Sequence, residues 1–109
     1  MAGLSKTPSL MILTTTNSIE NHKIIDYLGI VTGVAINKDT LAMGFSMSKY
    51  YTKVQNSIEA VKEEAFQTLQ DNAAKLKANA VVGIKVEIEL TASNYAMVSV
   101  TGTAVKVAV

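Results

Sequence analysis

Hydrophobic positions along this chain recur with a period of two, change to a period near 3.6 over residues 54–78, and then return to two. The return is the most regular part. Ile84, Val86, Ile88 and Leu90 alternate with Lys85, Glu87, Glu89 and Thr91, which predicts a strand with one dry face and one wet face. Ala92-Ser93-Asn94 interrupts the alternation, and the stretch from Tyr95 to Val109 resumes it with Val and Thr, so residues 79–109 read as a β-hairpin. In its second strand Val98 and Val100 are apolar on one parity, whereas Val105, Val107 and Val109 are apolar on the other. Gly102 stands at the changeover. A bulge there, or burial of both faces beyond it, reconciles the two halves.

Upstream, the run from Leu10 to Thr16 predicts a short strand, and Asn17-Ser18 a turn. The run from Lys23 to Ile36 predicts a longer strand that is apolar on both parities, with Ile25 and Tyr27 on one and Ile24, Leu28 and Ile30 on the other. Gly29 and Gly33 inside it predict a bend or a close backbone approach. They do not form a phosphate-binding loop, because no helix start follows in the order that chemistry requires. Residues 37–52 break the pattern and concentrate Met43, Phe45, Met47, Tyr50 and Tyr51 in a loop or short helix. From Val54 to Ala78 the period is helical: Val54, Ile58, Val61, Ala65, Leu69, Ala73 and Leu76 share one face. Asn72 falls within that stripe, so its amide needs a backbone or neighbouring-chain partner if it is buried. Asp71 precedes Lys75 by four residues, the favourable order for an ion pair. Asn79 stands where the helix should stop, and Asn tolerates the left-handed conformation that closes helices.

At 109 residues the chain fits a single domain, 1–109, with residues 1–10 as a flexible leader. Its ten basic residues, all Lys, are scattered and nearly balanced by nine acids, which gives no support to nucleic-acid binding through phosphate neutralisation. The absence of cysteine excludes disulfides, thiolate metal sites and thiol nucleophiles. No stretch approaches the ~18 consecutive apolar residues of a membrane span, and the first residues lack the apolar core of a secretion signal. A cytoplasmic protein without membrane association is the expectation.

Candidate chemistry is sparse. The single histidine, His22, lies between Glu20 and Asp26, and these three are the candidate ligands for a divalent or heavy metal ion. A mixed N/O set with one imidazole selects weakly among transition metals, and such residues before a strand usually stay solvated. Glu59, Glu63 and Glu64 sit early in the helix, where carboxylates favour the macrodipole and pair with Lys62. No Ser occupies a nucleophile-elbow context, and no carboxylate pair has a reason for split pKa values. The Met and aromatic residues of 37–52 either cover the core or line a site for an apolar ligand. Three readings therefore stay open, in this order: a structural or interaction oligomer, a binding or storage assembly for a metal or apolar ligand, and an enzyme.

The segments Leu28-Gly29-Ile30-Val31-Thr32-Gly33-Val34-Ala35, Asn79-Ala80-Val81-Val82-Gly83-Ile84 and Met97-Val98-Ser99-Val100-Thr101-Gly102-Thr103-Ala104-Val105 resemble the YbjQ family of small bacterial proteins over about Met11 to Lys106. The resemblance implies an α+β fold: a two-layer β-α-β-β subunit with an antiparallel sheet, its last strand central, one long helix and a ring-like homopentamer similar in subunit topology to dodecin. The family carries a heavy-metal-binding label, with no ligand motif to transfer onto these residues. Members often have Gly where this chain has Lys77. Self-association also follows from the residues, because one helix covers only one face of a sheet while two strands are apolar on both parities. Ile25, Tyr27, Val98, Val100, Val105 and Val107 are the expected interface residues.

Overall fold

The computed structural model describes residues 11–37, 47–90 and 95–108. The expected leader 1–10, most of the expected loop or short helix 37–52 (residues 38–46), the expected turn within 91–94 and Val109 lie outside them. The elements are β1 (Ile12–Leu13), β2 (Ile24–Ile36), α1 (Met47–Lys75), β3 (Ala80–Leu90) and β4 (Ala96–Val107), in a sheet of order β1-β3-β4-β2. β4 runs antiparallel to both β2 and β3, whereas β1 joins β3 in parallel, so the sheet is mixed and not wholly antiparallel.

The helix begins at Met47, about two turns before Val54, the first residue of the apolar period. Residues 47–53 contain no Gly or Pro, so nothing in their propensities stops a helix driven by burial further along, and of the loop and the short helix expected there the helix is found, continuous with the rest of α1. Val61, Ala65, Leu69 and Ala73 are buried against Val31, Ala35, Val98, Val100 and Ala104. Ile58 is only half-buried, and Leu76 falls beyond the helix and is exposed. The closest approach is at Gly33, where a Cβ would collide with the Ala65 carbonyl oxygen and come within 2.7 Å of the Leu69 nitrogen. Glycine is the residue that lets the helix backbone lie directly on β2. Asn72 adds a tie, its Nδ2 donating to the Thr32 carbonyl oxygen of β2 at 2.8 Å. Asp71 accepts from Gln67 Nε2 at 2.9 Å.

Closure of the helix falls at Lys77, not at Asn79. Lys77 has φ 66°, and the bonds Ala78 N–H to Ala73 O at 3.1 Å and Lys77 N–H to Ala74 O at 2.9 Å make a Schellman cap. A left-handed residue there explains why glycine suits this position. Asn79 instead ties the helix exit to β4, its Nδ2 donating to the Val107 carbonyl oxygen at 2.9 Å while its Oδ1 accepts from Val107 N–H at 2.8 Å. The amide thus imitates a strand backbone at the end of β4.

β4 keeps its parity through Gly102: Val98, Val100 and Ala104 face the helix while Val105 and Val107 face the other side, so burial of both faces reconciles its two halves, and the bulge lies in the neighbouring strand. Register slips between Val82 and Lys85, opposite Gly102, with Gly83 at φ 63°. This bulge leaves Val81 and Ile84 on the helix side and puts Val82 on the other. On that second face Ala80, Val82, Val105 and Val107 form a small core of their own, covered by Ile12, Ile19 and Ile24. Thr14 N–H bonds to Val81 O, Gly83 N–H to Thr16 O and Ile84 N–H to Thr14 O, so residues 12–16 are strapped along β3. β2 bends as its glycines suggest, with register shifts between Ile24 and Asp26 and between Tyr27 and Gly29.

Candidate functional surface

A strand residue is covered on its face by whatever layer lies above it, and here each layer falls short of part of the sheet. Along β2, Val31, Gly33 and Ala35 are buried under the helix, so the alternating Ile30, Val34 and Ile36 face away from it. Among the described residues no second layer reaches them: Ile30 is 78% exposed, and Val34 and Ile36 are each 48% exposed. Ile25 and Tyr27, in the bulged part of β2, are also exposed. Along β3 the shortfall is on the opposite face. Val86, Ile88 and Leu90 pair with Val100, Val98 and Ala96 and so share their helix-facing side. The helix rests on β2 and β4 and barely reaches β3, which leaves these three side chains exposed. The expected dry face of this strand is dry only as far as Ile84.

Among the described residues both strands also have an edge without a neighbouring strand. β2 ends the sheet, and β1 with the residues after it covers β3 only up to Ile84. Among the described residues, the outer edge of β3 from Lys85 to Leu90 has no strand beside it. An apolar free edge is a template for pairing with another chain.

The expected interface residues divide accordingly. Ile25 and Tyr27 are exposed, whereas Val98 and Val100 lie fully buried beneath the helix, and Val105 and Val107 lie buried beneath the N-terminal segment. These four valines are core of the single chain, because the segment around Ile12 and Ile19 covers a face that a sheet-plus-helix outline leaves bare. Ile30, Val34, Ile36, Val86, Ile88 and Leu90 take their place as exposed apolar residues. Their signal was the even parity of β2 and the dry parity of β3, read against a helical stripe too narrow to cover both.

The metal candidates do not converge. His22 Nδ1 is 3.1 Å from the Ala108 carbonyl oxygen and thereby fastens the N-terminal segment to the end of β4. Glu20 and Asp26 are exposed, and no group of three His, Asp or Glu side chains that could hold a metal ion forms among the described residues. A shallow depression lined by Ile12, Leu13, Thr14, Thr16, Ser18, Ile19 and Glu20 has one carboxylate and no second titratable group to work with it. Glu59 pairs with Lys62 at 3.6 Å on the helix surface. No helix of the described residues is long and apolar enough to cross a membrane.

Comparison with known proteins follows the same outline. A family model of YbjQ type, described as "Putative heavy-metal-binding", matches residues 11–108. The chain belongs to the YbjQ family. It is 39% identical over 106 residues to a UPF0145 protein of Halalkalibacterium halodurans, covering 88% of this chain and 95% of that one. A UPF0145 protein of Clostridium kluyveri is 39% identical over 109 residues, covering 89% and 99% of the two chains. In structure the YbjQ chain is similar to a crystal structure of a DUF74-family protein of unknown function from Pediococcus pentosaceus, with a TM-score of 0.64 at 21% identity over 90% of this chain and 98% of that one. That likeness speaks for the α+β fold alone. The metal named in the family's description finds no ligand set among the described residues: the imidazole is turned to a backbone carbonyl, and thiolates are absent from the sequence.

Proposed function

We propose that this chain is a non-enzymatic, self-assembling protein of the cytoplasm, a closed homo-oligomer that serves as a structural or interaction scaffold. One observation carries this reading. Of the nine large apolar side chains exposed among the described residues, eight lie on β2 and β3, the two strands with free edges. A monomer with that surface would be prone to aggregate, and a ring of identical subunits meeting head to tail buries it without leaving a sticky end. The number five rests on the family resemblance. Light scattering coupled to size exclusion at micromolar concentration tests both parts: a particle of five times 11.6 kDa is expected. A monomer would overturn the assembly, and a stable tetramer or hexamer would overturn only the stoichiometry.

The family description favours a second reading, a metal-binding or storage oligomer. His22 is its sole imidazole, and symmetry-related copies of it are the only route to more than one such ligand. Calorimetric zinc titration of the wild type and His22→Ala decides this. Equal or absent heats end the metal reading.

A further inference from the structure

We infer that the sheet continues from one copy to the next by laying the outer edge of β3, from Lys85 to Leu90, beside the outer edge of β2 of a neighbouring copy, so that Val86, Ile88 and Leu90 pass beneath the neighbour's helix. This rests on the self-assembly proposed above and adds which surface meets which. The helix lies closest to β2, the last strand of the sheet. Its backbone meets Gly33 through Ala65 and Leu69, and Asn72 holds it to the Thr32 carbonyl oxygen. A helix with its side chains is roughly 10 Å across, so one seated on an edge strand projects about 5 Å past that edge, which is about the spacing between neighbouring strands. The overhang therefore roofs a slot one strand wide.

β3 supplies a strand suited to that slot. On the helix side it carries Val86, Ile88 and Leu90, which its own helix barely approaches, and among the described residues nothing pairs with its outer backbone beyond Ile84. Direction agrees as well. β2 and β3 are each antiparallel to β4, so they run the same way, and a head-to-tail repeat of the chain brings β3 of one copy alongside β2 of the next in the parallel sense with the helix sides matched. The alternative, a two-fold axis joining β2 to β2, places two overhanging helices over one seam and leaves the β3 side chains bare.

The chain has no cysteine, so engineered disulfides report this contact without background. Val34 and Glu87 both point away from the helix, and the double variant V34C/E87C, with T32C/E87C and I36C/E87C to cover neighbouring registers, is oxidised as the assembled full chain. At least one pair is expected to give a ladder of covalent oligomers on a non-reducing gel, ending at the size found by light scattering. Each single variant stays a monomer on the same gel. An oligomer in solution with no ladder from any pair overturns this arrangement and leaves the assembly standing, as does a dimer formed by V34C alone. A monomer by light scattering overturns the assembly itself and this contact with it.

Discussion

β2 and β4 lie side by side, share eleven paired positions and draw on similar residues, yet they meet very different surroundings. In β4, Val98, Val100 and Val105 are completely buried, while in β2, Ile25, Tyr27 and Ile30 are 63%, 69% and 78% exposed. The more apolar of the two strands is the wetter one. β4 has a strand on either side, the helix over one face and the N-terminal segment over the far end of the other, whereas β2, among the described residues, has a strand on one side only and a helix on one face. Burial of a strand side chain is thus decided by how many layers and neighbours its strand has, and apolar residues beyond that supply stay exposed. The same contrast runs within β3, where Ala80 to Ile84 is core and Val86 to Leu90 is not.

Charges placed on the two strands should separate them most sharply. Val100→Asp puts a carboxylate in the main core with no partner, and a loss of about 4 kcal/mol or more, seen as failure to fold or a collapsed denaturant midpoint, is expected. A folded Val100→Asp of unchanged stability would refute the placement of β4. Leu69→Ala removes a fully buried side chain from the helix that covers both strands and should cost about 2–5 kcal/mol by urea denaturation, with Gln67→Ala as the exposed control. Similar midpoints for that pair would contradict the helical face.

Asn79→Ala removes both bonds that the amide makes to Val107, and thermal or chemical denaturation should show a loss of roughly 1–3 kcal/mol, confined to the end of β4 in hydrogen exchange. The smallest effect on folding, within about 0.5 kcal/mol, is expected for Ile30→Asp on β2, measured on the dissociated chain at high dilution. Its consequence should appear in mass instead, as a shift from the assembled particle toward smaller species. If Ile30→Asp keeps the particle intact, the exposed face of β2 is not part of the contact.

The sequence alone determined the order of elements, because alternation at Ile84 to Leu90 and the helical stripe from Val61 to Ala73 are properties of local geometry that any fold must respect. It also located the points of irregularity: Gly33 is where the helix touches β2, the residues opposite Gly102 are where register slips, and Asn72 does find a backbone partner. The metal trio could be named from composition, but which way an imidazole turns depends on what lies across from it, here the Ala108 carbonyl oxygen 86 residues away. Tertiary structure alone decided which apolar parities are covered. Val107 and Ile30 look alike in sequence, and they differ because the segment holding Ile12 and Ile19 folds back over one end of the sheet while nothing in the described chain folds over the other. Periodicity describes how a side chain is aimed, and burial needs something in front of it.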